Sequence, residues 1–246
     1  MIKITVIIAL LSLSVWGQEV YATFNVKAEK ASNLVLSATG LVKKINVDVG
    51  DKVKKGQVLL ELDSDDLKTS VKLAQKQIEL AQINLKFSKK AFERYDKVKS
   101  VVDAGEYDKY ASAYERSKIE LSNAKANLSY KRSLLAKTRL KAPFSGVIAS
   151  KNIEVGDGVS GAKMNTLFRL ITPNKQKLVL KIDEKYWKKL KVGQTFVYSV
   201  DGKEHLTSKV SKIYPSIDSK RRAITVEMPT KGLKVGLFGH GKLKVD

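Results

Sequence analysis

The sequence of 246 residues lacks cysteine altogether and contains only three methionines and two histidines. Without cysteine the chain can form no disulfide, no thiolate metal site, no thiol nucleophile and no lipid-modified N-terminal cysteine. Three methionines are too few for a thioether cluster that would bind a soft metal. The two histidines, His205 and His240, stand apart without ligand residues beside them, so we predict no metal site.

Arginine is also scarce, although the chain is strongly basic. Only seven of the 46 basic residues are arginine, and the net charge is +21. Recognition of phosphate usually relies on the bidentate arginine fork. Because the lysines are spread along the polar side of regular patterns, we interpret them as a solvated basic surface with no nucleic-acid partner. A weak attraction to anionic lipid headgroups is a second interpretation.

Catalytic patterns do not stand out in the sequence. There is no Ser-His-acid arrangement and no carboxylate pair suited to catalysis, and the acids Asp63, Asp65 and Asp66 fit the start of a helix. The segment GLFGHG, Gly236–Gly241, lacks the Lys-Ser/Thr pair and the helix of a phosphate loop, so strand ends explain it better. We therefore predict no catalytic residue, no cofactor and no enzyme.

Long apolar runs are limited to one, Ile4–Trp16, which follows a positively charged start. Its 13 residues fall short of the roughly 20 that a bilayer-spanning helix needs. The tripeptide VYA, which ends at Ala22, offers suitable residues before a cut. We predict a secretory signal peptide over residues 1–22, cleaved after Ala22, with an uncleaved N-terminal anchor as the alternative. The rest of the chain would then be secreted and soluble or peripheral to the membrane.

One glycine-containing β pattern occurs twice, as INVDVGDKV and as NIEVGDGVS. Gly50-Asp51 of the first copy corresponds to Gly156-Asp157 of the second, at a separation of 106 residues. This pair predicts a turn, because glycine adopts positive φ and the following aspartate can accept hydrogen bonds from nearby backbone N–H groups. Since one short β unit cannot bury its apolar face alone, we predict that the two copies face each other in a small β-sandwich.

Between the two copies the apolar residues recur at alternating intervals of four and three. This heptad spacing predicts two helices packed along one seam, joined by a short turn into an antiparallel coiled-coil hairpin with Gly105 as the helix breaker. Lys131 is the one residue that fits the seam poorly. The predicted seam residues are Leu67, Val71, Ala74, Ile78, Ala81, Leu85, Ser88, Phe92 and Tyr95 on the first helix, and Tyr110, Tyr114, Ser117, Leu121, Ala124, Leu128, Lys131, Leu135 and Thr138 on the second.

After Thr172 the sequence alternates in the manner of strands. Five strands and a short helix predict a small β-barrel, to which a segment near Thr23–Lys30 adds a strand. The five strands are Lys177–Ile182, Thr195–Val200, Leu206–Pro215, Arg222–Met228 and Phe238–Val245, and the helix is Asp183–Leu190. The predicted fold class is therefore α+β, elongated and multi-module: a split β-sandwich, which resembles a lipoyl domain and is called lipoyl-like below, with an inserted α-helical hairpin, followed by a small β-barrel. The predicted domains are a signal peptide (1–22), a first barrel strand (23–33), lipoyl-like half 1 (34–63), the hairpin (64–139), lipoyl-like half 2 (140–172) and the barrel (173–246).

The segments that carry these modules resemble one known family. GLVKKINVDVGDKVKKGQVLLELD and LKAPFSGVIASKNIEVGDGV match its two lipoyl-like halves, and VSKIYPSIDSKRRAITVE and LKVGLFGHGKL match its barrel. The family is that of the periplasmic adaptors, or HlyD-like membrane fusion proteins, of tripartite efflux systems. The resemblance is greatest to the adaptors of resistance-nodulation-division pumps. It implies a homo-oligomer, a hexameric ring in the assembly, that links an inner-membrane transporter to an outer-membrane channel protein for export of small molecules.

The resemblance also implies where the partners bind. The barrel would meet the pump, and the hairpin tip would meet the outer-membrane duct. In the pump adaptors that this chain most resembles, the tip carries an arginine, a leucine four residues later and a serine near the turn. The corresponding positions here are Arg94, Val98 and Gly105, and Val102 lies between the last two.

Several alternatives stay open at this point. The transporter would be proton-driven, because the hairpin is short and Arg94 is present, with an ATP-driven exporter or secretion system as the second choice. From other classes, the chain could be a lipoyl or biotinyl-like carrier or a scaffold that binds polyanions. The sequence does not predict which substrate is exported, or whether the ring forms without its partners.

Overall fold

The computed structural model describes residues 18–200 and 202–245, which fold into two compact units. One unit consists of the described residues up to Ala31 together with those from Ile171 onward. The other unit is Ser32–Leu170. The elements in chain order are β1 (Gln18–Ala28), β2 (Ala31–Leu34), β3 (Gly40–Ile45), β4 (Lys52–Val53), β5 (Val58–Leu62), α1 (Asp65–Asp96), α2 (Ala104–Lys137), β6 (Arg139–Lys141), β7 (Gly146–Lys151), β8 (Gly158–Val159), β9 (Phe168–Ile171), β10 (Gln176–Asp183), a 3-10 helix (Glu184–Lys189), β11 (Thr195–Val200), β12 (Lys203–Lys209), β13 (Lys212–Asp218), β14 (Ala223–Thr230) and β15 (Phe238–Val245).

The repeated β pattern forms the predicted sandwich. Its two four-stranded sheets have the orders β2-β9-β7-β4 and β6-β5-β3-β8, so each sheet takes strands from both halves of the repeat. Gly40 pairs with Val159, and the equivalent residues of the other copies, Gly146 and Val53, pair in the same way. The two copies are thus exchanged by an approximate two-fold relation around one shared apolar core, which includes the fully buried Leu60, Phe168 and Leu170.

The heptad pattern forms the predicted hairpin, and α1 and α2 pack against each other along its whole length. At a rise of 1.5 Å per residue, the 32 residues of α1 reach about 48 Å. Every predicted seam residue is buried or half-buried. Lys131 fits because its stem is half-buried while its ammonium lies 5.9 Å from the ring centre of Tyr130, outside the seam.

The prediction that Gly105 breaks the helices was wrong. Residues 97–103 form the break, and Gly105 lies in the first turn of α2 with helical backbone. The helix begins where it does because Asp103 is its N-cap, and the Asp103 carboxylate accepts a hydrogen bond from the Glu106 backbone N–H at 3.2 Å. The capping side chain, rather than the glycine, sets this boundary.

The barrel consists of one seven-stranded sheet with the order β12-β11-β15-β1-β10-β14-β13. β12 and β13 lie at opposite edges of that order, yet only Val210 and Ser211 separate them in the chain. The two edges must therefore be adjacent, which closes the sheet. The predicted single strand Leu206–Pro215 was wrong for this reason: the chain crosses from one edge to the other at Val210, which is buried.

The first barrel strand begins earlier than predicted. β1 starts at Gln18, which pairs with Val245, and its alternating side chains at Val20 and Ala22 are buried in the barrel core. β2, which the predicted first barrel strand also covered, belongs to the sandwich instead. A cut after Ala22 would split β1. The remainder of the predicted signal peptide, residues 1–17, lies outside the described residues. Within the described part of the chain, neither helix has the length and apolar character of a membrane-spanning segment.

Candidate partner-binding site

The hairpin tip is a closed, capped turn. After α1 ends at Asp96, the Val98 backbone N–H donates to the Tyr95 carbonyl at 3.1 Å, and the Val101 N–H donates to the Val98 carbonyl at 3.0 Å. The Asp103 cap then starts α2. Each of these bonds closes a local ring of backbone, so the turn has a defined conformation that can present side chains to a partner.

Five aromatic rings fill the seam just below this turn. The rings of Tyr95 and Tyr110 stack with centroids 3.8 Å apart, and Phe92 stacks on Tyr114 at 5.4 Å. Phe92 also contacts Tyr107 at 5.9 Å. We call these five residues the aromatic ladder. Because large rings meet across the seam here, the ladder holds the ends of the two helices together at the tip.

Polar contacts fix the outer side of the aromatic ladder. The Tyr107 hydroxyl donates to the Asp96 carboxylate at 3.2 Å, and the Lys99 ammonium lies 4.7 Å from the centre of the Tyr107 ring. A side-chain hydrogen bond with Tyr110, together with burial, raises the pKa of Tyr95 to about 12. The Tyr95 phenol therefore stays uncharged across the physiological pH range.

The predicted tip residues occupy different environments. Arg94 is exposed on the last turn of α1, and Val98 is 43% exposed in the turn itself. Val102 is half-buried, and Gly105 lies within α2, where an added Cβ would meet the Asp103 carboxylate at 3.0 Å. The residue that sequence reasoning missed is Val101, which is 81% exposed. Its position beside the turn was readable from the sequence, but its exposure depends on how the turn closes.

The two predicted lipoyl-like turns have the same geometry. Gly50 and Gly156 have φ values of +92° and +93°, which only glycine adopts readily. The Asp51 carboxylate accepts from the backbone N–H of Asp48 at 2.8 Å, and the Asp157 carboxylate accepts from that of Glu154 at the same distance. The glycine and the aspartate thus do in both copies what the sequence pattern predicts.

These turns also connect the two halves of the sandwich. The Gly50 N–H donates to the Ile148 carbonyl at 2.9 Å, and the Gly156 N–H donates to the Val42 carbonyl at 2.9 Å. Each turn therefore fastens a strand of the other half. Their role is to close the sandwich from which the hairpin projects, rather than to bind a ligand.

Two further surfaces of the hairpin are apolar and exposed. We call them the outer α1 stripe and the outer α2 stripe. They lie away from the seam, and the members of the first recur at intervals of seven, three and four residues. The outer α1 stripe is Leu73, Leu80, Ile83 and Phe87, and the outer α2 stripe is Ile119 and Tyr130.

His240 and the GLFGHG segment, which the sequence analysis considered as metal or phosphate sites, pack against other parts of the barrel. Across residues 18–200 and 202–245 no group of three His, Cys, Asp or Glu side chains could hold a metal ion. The His240 ring stacks on Tyr21 with centroids 5.9 Å apart. In the GLFGHG segment, Gly239 lies on β15 against the barrel core, where an added Cβ would stand 2.5 Å from Cζ of Phe24. Gly239 and Gly241 make room for aromatic packing, because an added Cβ at Gly241 would likewise stand 2.7 Å from Cζ of Phe196.

Comparison with known families agrees with this architecture. Residues 30–170 match the model of the CzcB-like, barrel-sandwich hybrid domain, which covers more than half of the chain. The chain therefore belongs to the CzcB-like barrel-sandwich hybrid family, whose members are membrane fusion proteins, that is, periplasmic adaptors.

Particular relatives and structures extend the likeness. The cobalt-zinc-cadmium resistance protein CzcB of Cupriavidus metallidurans is 30% identical over 140 residues, which are 54% of this chain and 26% of that protein. The crystal structure of MacA from Actinobacillus actinomycetemcomitans has a TM-score of 0.77 at 17% identity, covering 94% of this chain and 79% of that one. The membrane fusion protein Spr0693 of Streptococcus pneumoniae has a TM-score of 0.73 at 17% identity, covering 92% and 99%. The two structures show the shared fold. The chain spans about a quarter of the length of CzcB.

Proposed function

We propose that this chain is a non-enzymatic periplasmic adaptor that links an inner-membrane transporter to an outer-membrane channel protein for export of small molecules. The observation that carries the proposal is the capped tip of the hairpin, which presents exposed apolar and basic side chains at the end of a long, packed rod of two helices. The hairpin, about 48 Å long, separates its tip from the sandwich by that length, and the tip offers a defined docking surface. The transporter supplies the energy, and the adaptor supplies geometry.

We further propose that the tip is the surface for the outer-membrane channel. Val98 and Val101 are exposed side by side in a turn of fixed backbone, with Arg94 exposed one helical turn before them. Exposed apolar side chains ringed by charges are typical of a small protein interface. Val102 and Gly105 support this surface from behind, because Val102 is half-buried and Gly105 belongs to the first turn of α2.

We also propose that copies of the chain pack side by side through their hairpins in a ring of six. Ser88 and Ser117 face each other across the seam at 2.6 Å, which fixes the relative heights of residues on α1 and α2. Phe87 therefore stands within about one residue of the height of Ile119, and Leu73 within about two residues, or roughly 3 Å, of the height of Tyr130. Copies at equal height would bring the outer α1 stripe of one against the outer α2 stripe of the next. Such a head-to-tail contact generates a ring when its rotation closes.

Charge supports the same register. Lys90 on the side of α1 that carries the outer stripe is exposed and stands level with Glu115 on the corresponding side of α2. In neighbouring copies these side chains would face each other with opposite sign, which favours this register over a shifted one.

The deciding experiment is photo-crosslinking in the native cell. A photoreactive amino acid replaces Val101 at the tip or Ile217, which is exposed on the barrel, and captured partners are identified by mass spectrometry. The same replacement at Ala74, buried in the seam, is the matched control. We expect an outer-membrane channel from position 101, an inner-membrane transporter from position 217, and neither from position 74.

The identity of the captured transporter also separates the two energy sources. A resistance-nodulation-division pump is our first choice, and an ATP-driven exporter is the second. Capture of soluble enzymes, or of other copies alone from both exposed positions, would contradict the bridging role.

A further inference from the structure

One end of the barrel is strongly basic. The 3-10 helix and the residues after it contribute Lys185, Lys188, Lys189 and Lys191, and the loop between β13 and β14 contributes a Lys-Arg-Arg run at positions 220–222. All seven side chains are exposed. We call this surface the basic end.

Two contacts hold the parts of the basic end together. The Glu184 backbone N–H donates to the Arg222 carbonyl at 2.9 Å, and the Glu184 carboxylate pairs with the Arg222 guanidinium at 3.1 Å. The loop and the 3-10 helix therefore form one surface rather than two independent segments.

The acids of the basic end are already engaged. Besides Glu184, they are Asp183 and Asp218. The Asp183 carboxylate accepts from the Lys185 backbone N–H at 2.9 Å, and that of Asp218 accepts from the Arg221 backbone N–H at 3.3 Å. Three acids against seven basic groups leave this end net positive, so it attracts an anionic partner.

Large apolar side chains project from the same surface. Trp187 is 58% exposed and Val192 is 65% exposed, while Leu190 between them is buried and anchors the segment to the barrel. The Lys188 ammonium lies 5.5 Å from the centre of the Trp187 ring. An exposed tryptophan among lysines is suited to the boundary between lipid headgroups and acyl chains, where the ring is buried and the ammonium groups meet phosphates.

The chain enters the barrel at this end. The Lys189 ammonium donates to the Gln18 side-chain oxygen at 2.6 Å, and Gln18 is the first residue of β1. The first described strand of the barrel therefore begins within the basic end, beside its lysines.

We propose that the basic end docks on an anionic lipid bilayer, with Trp187 at headgroup depth and the seven basic side chains against lipid phosphates. This goes beyond the proposed bridging role, because the contact requires neither transporter nor channel. An acidic protein surface would satisfy the charges alone, but the exposed Trp187 and Val192 favour the bilayer.

The test uses the full chain and large vesicles of phosphatidylcholine, with or without phosphatidylglycerol, in a sedimentation assay. The variant Lys188→Glu with Lys220→Glu changes the basic end. The variant Lys231→Glu with Lys234→Glu makes the same charge change between β14 and β15, at the opposite end of the barrel, and keeps the same apolar run.

We expect binding to phosphatidylglycerol vesicles that weakens with added salt. Each basic group near an anionic surface contributes about fivefold to partitioning, so the first variant loses on the order of tenfold or more, and the second loses far less. In a Trp16→Phe background Trp187 is the one remaining tryptophan, and its emission should shift to the blue on anionic vesicles.

Three outcomes would overturn the proposal. They are equal losses in the two charge variants, binding that ignores lipid charge, and a Trp187 emission that does not move. Because the vesicles contain no protein partner, failure here leaves the crosslinking result of the bridging role unaffected, and the reverse also holds.

Discussion

The sandwich and the barrel reach closure by different means. The sandwich uses one short sequence pattern twice. In each copy the turn glycine donates its backbone N–H to a carbonyl of the other copy, and these two hydrogen bonds hold the halves together. The barrel uses no repeat. Its strands β1 and β11 meet through the rings of Phe24, Phe196 and Tyr198, which lie 5.2 to 5.8 Å apart. The sandwich therefore depends on local backbone geometry, and the barrel depends on tight core packing.

Substitution of a packed glycine should break the barrel and leave the sandwich intact. In Gly239→Ala, the new Cβ would lie 2.5 Å from Cζ of Phe24 and 2.6 Å from the Ser199 carbonyl, so we expect a loss of about 3 kcal/mol or more. The control Gly158→Ala places a Cβ in open space on the sandwich. Urea unfolding gives the size of the loss, and hydrogen exchange assigns it to a unit. Equal effects of the two substitutions would contradict this account of the barrel.

Substitution of the turn glycines tests the two-fold relation of the sandwich. Gly50→Ala and Gly156→Ala each force a side chain into positive φ, which costs about 1 to 3 kcal/mol. We expect the two losses to agree closely, because the turns share their φ and their hydrogen bonds. Thermal unfolding of the single variants measures them. A clear difference between the two would show that the copies are not equivalent in energy.

Acid should affect the barrel through Glu227. Burial acts to raise the pKa of this carboxyl, but hydrogen bonds from Lys177 at 2.7 Å and Tyr214 at 2.8 Å outweigh it and lower the pKa below the ordinary 4.5. The lowered pKa means that the ionised carboxylate stabilises the fold above pH 4.5, and that this stability is lost as the pH falls through the lower folded-state value.

The variant Glu227→Gln should therefore lose about 1 to 3 kcal/mol at neutral pH and show a flatter stability profile below pH 4.5. Unfolding midpoints across the acid range check this. A parallel shift of the whole profile would exclude the ionised carboxylate as the cause.

The smallest expected effect concerns the turn aspartates. Asp51→Ala and Asp157→Ala each remove one side-chain hydrogen bond to a backbone N–H, worth about 1 kcal/mol, while the glycine keeps its φ. Hydrogen exchange at Asp48 and Glu154, whose amides lose their partners, should speed up locally. Unchanged exchange at these amides would mean that the backbone alone holds the turn.

The repeat and the heptad seam could be predicted because each is a local, periodic signal. The Gly-Asp turns and every seam residue from Leu67 to Thr138 follow from spacing alone. The break at Val210 could not be predicted in this way, because it arises where the two edges of the closed sheet meet. The start of β1 was hidden because the alternating Val20 and Ala22 also fit the end of a signal peptide.

The candidate tip shows the same limit. Arg94 and Val98 are found by their distance from the turn. The exposure of Val101 depends on the backbone of the turn, and the aromatic ladder depends on how the two helices align in height. The sequence shows which residues are aromatic but not which rings stack on each other, because the antiparallel packing of α1 on α2 decides the pairing.

The pairing of β1 with β15 has a consequence for the order of folding. These strands are adjacent in the barrel, yet Gln18 and Val245 are more than 200 residues apart in the chain. During synthesis the pairing of β1 with β15 must wait for the last strand, whereas β10 can pair with β1 sooner, and the sandwich and hairpin, complete by Leu170, can form earlier still. Barrel closure is thus the final step, and until it occurs the edge of β1 that pairs with β15 stays open to pairing with a strand of another chain.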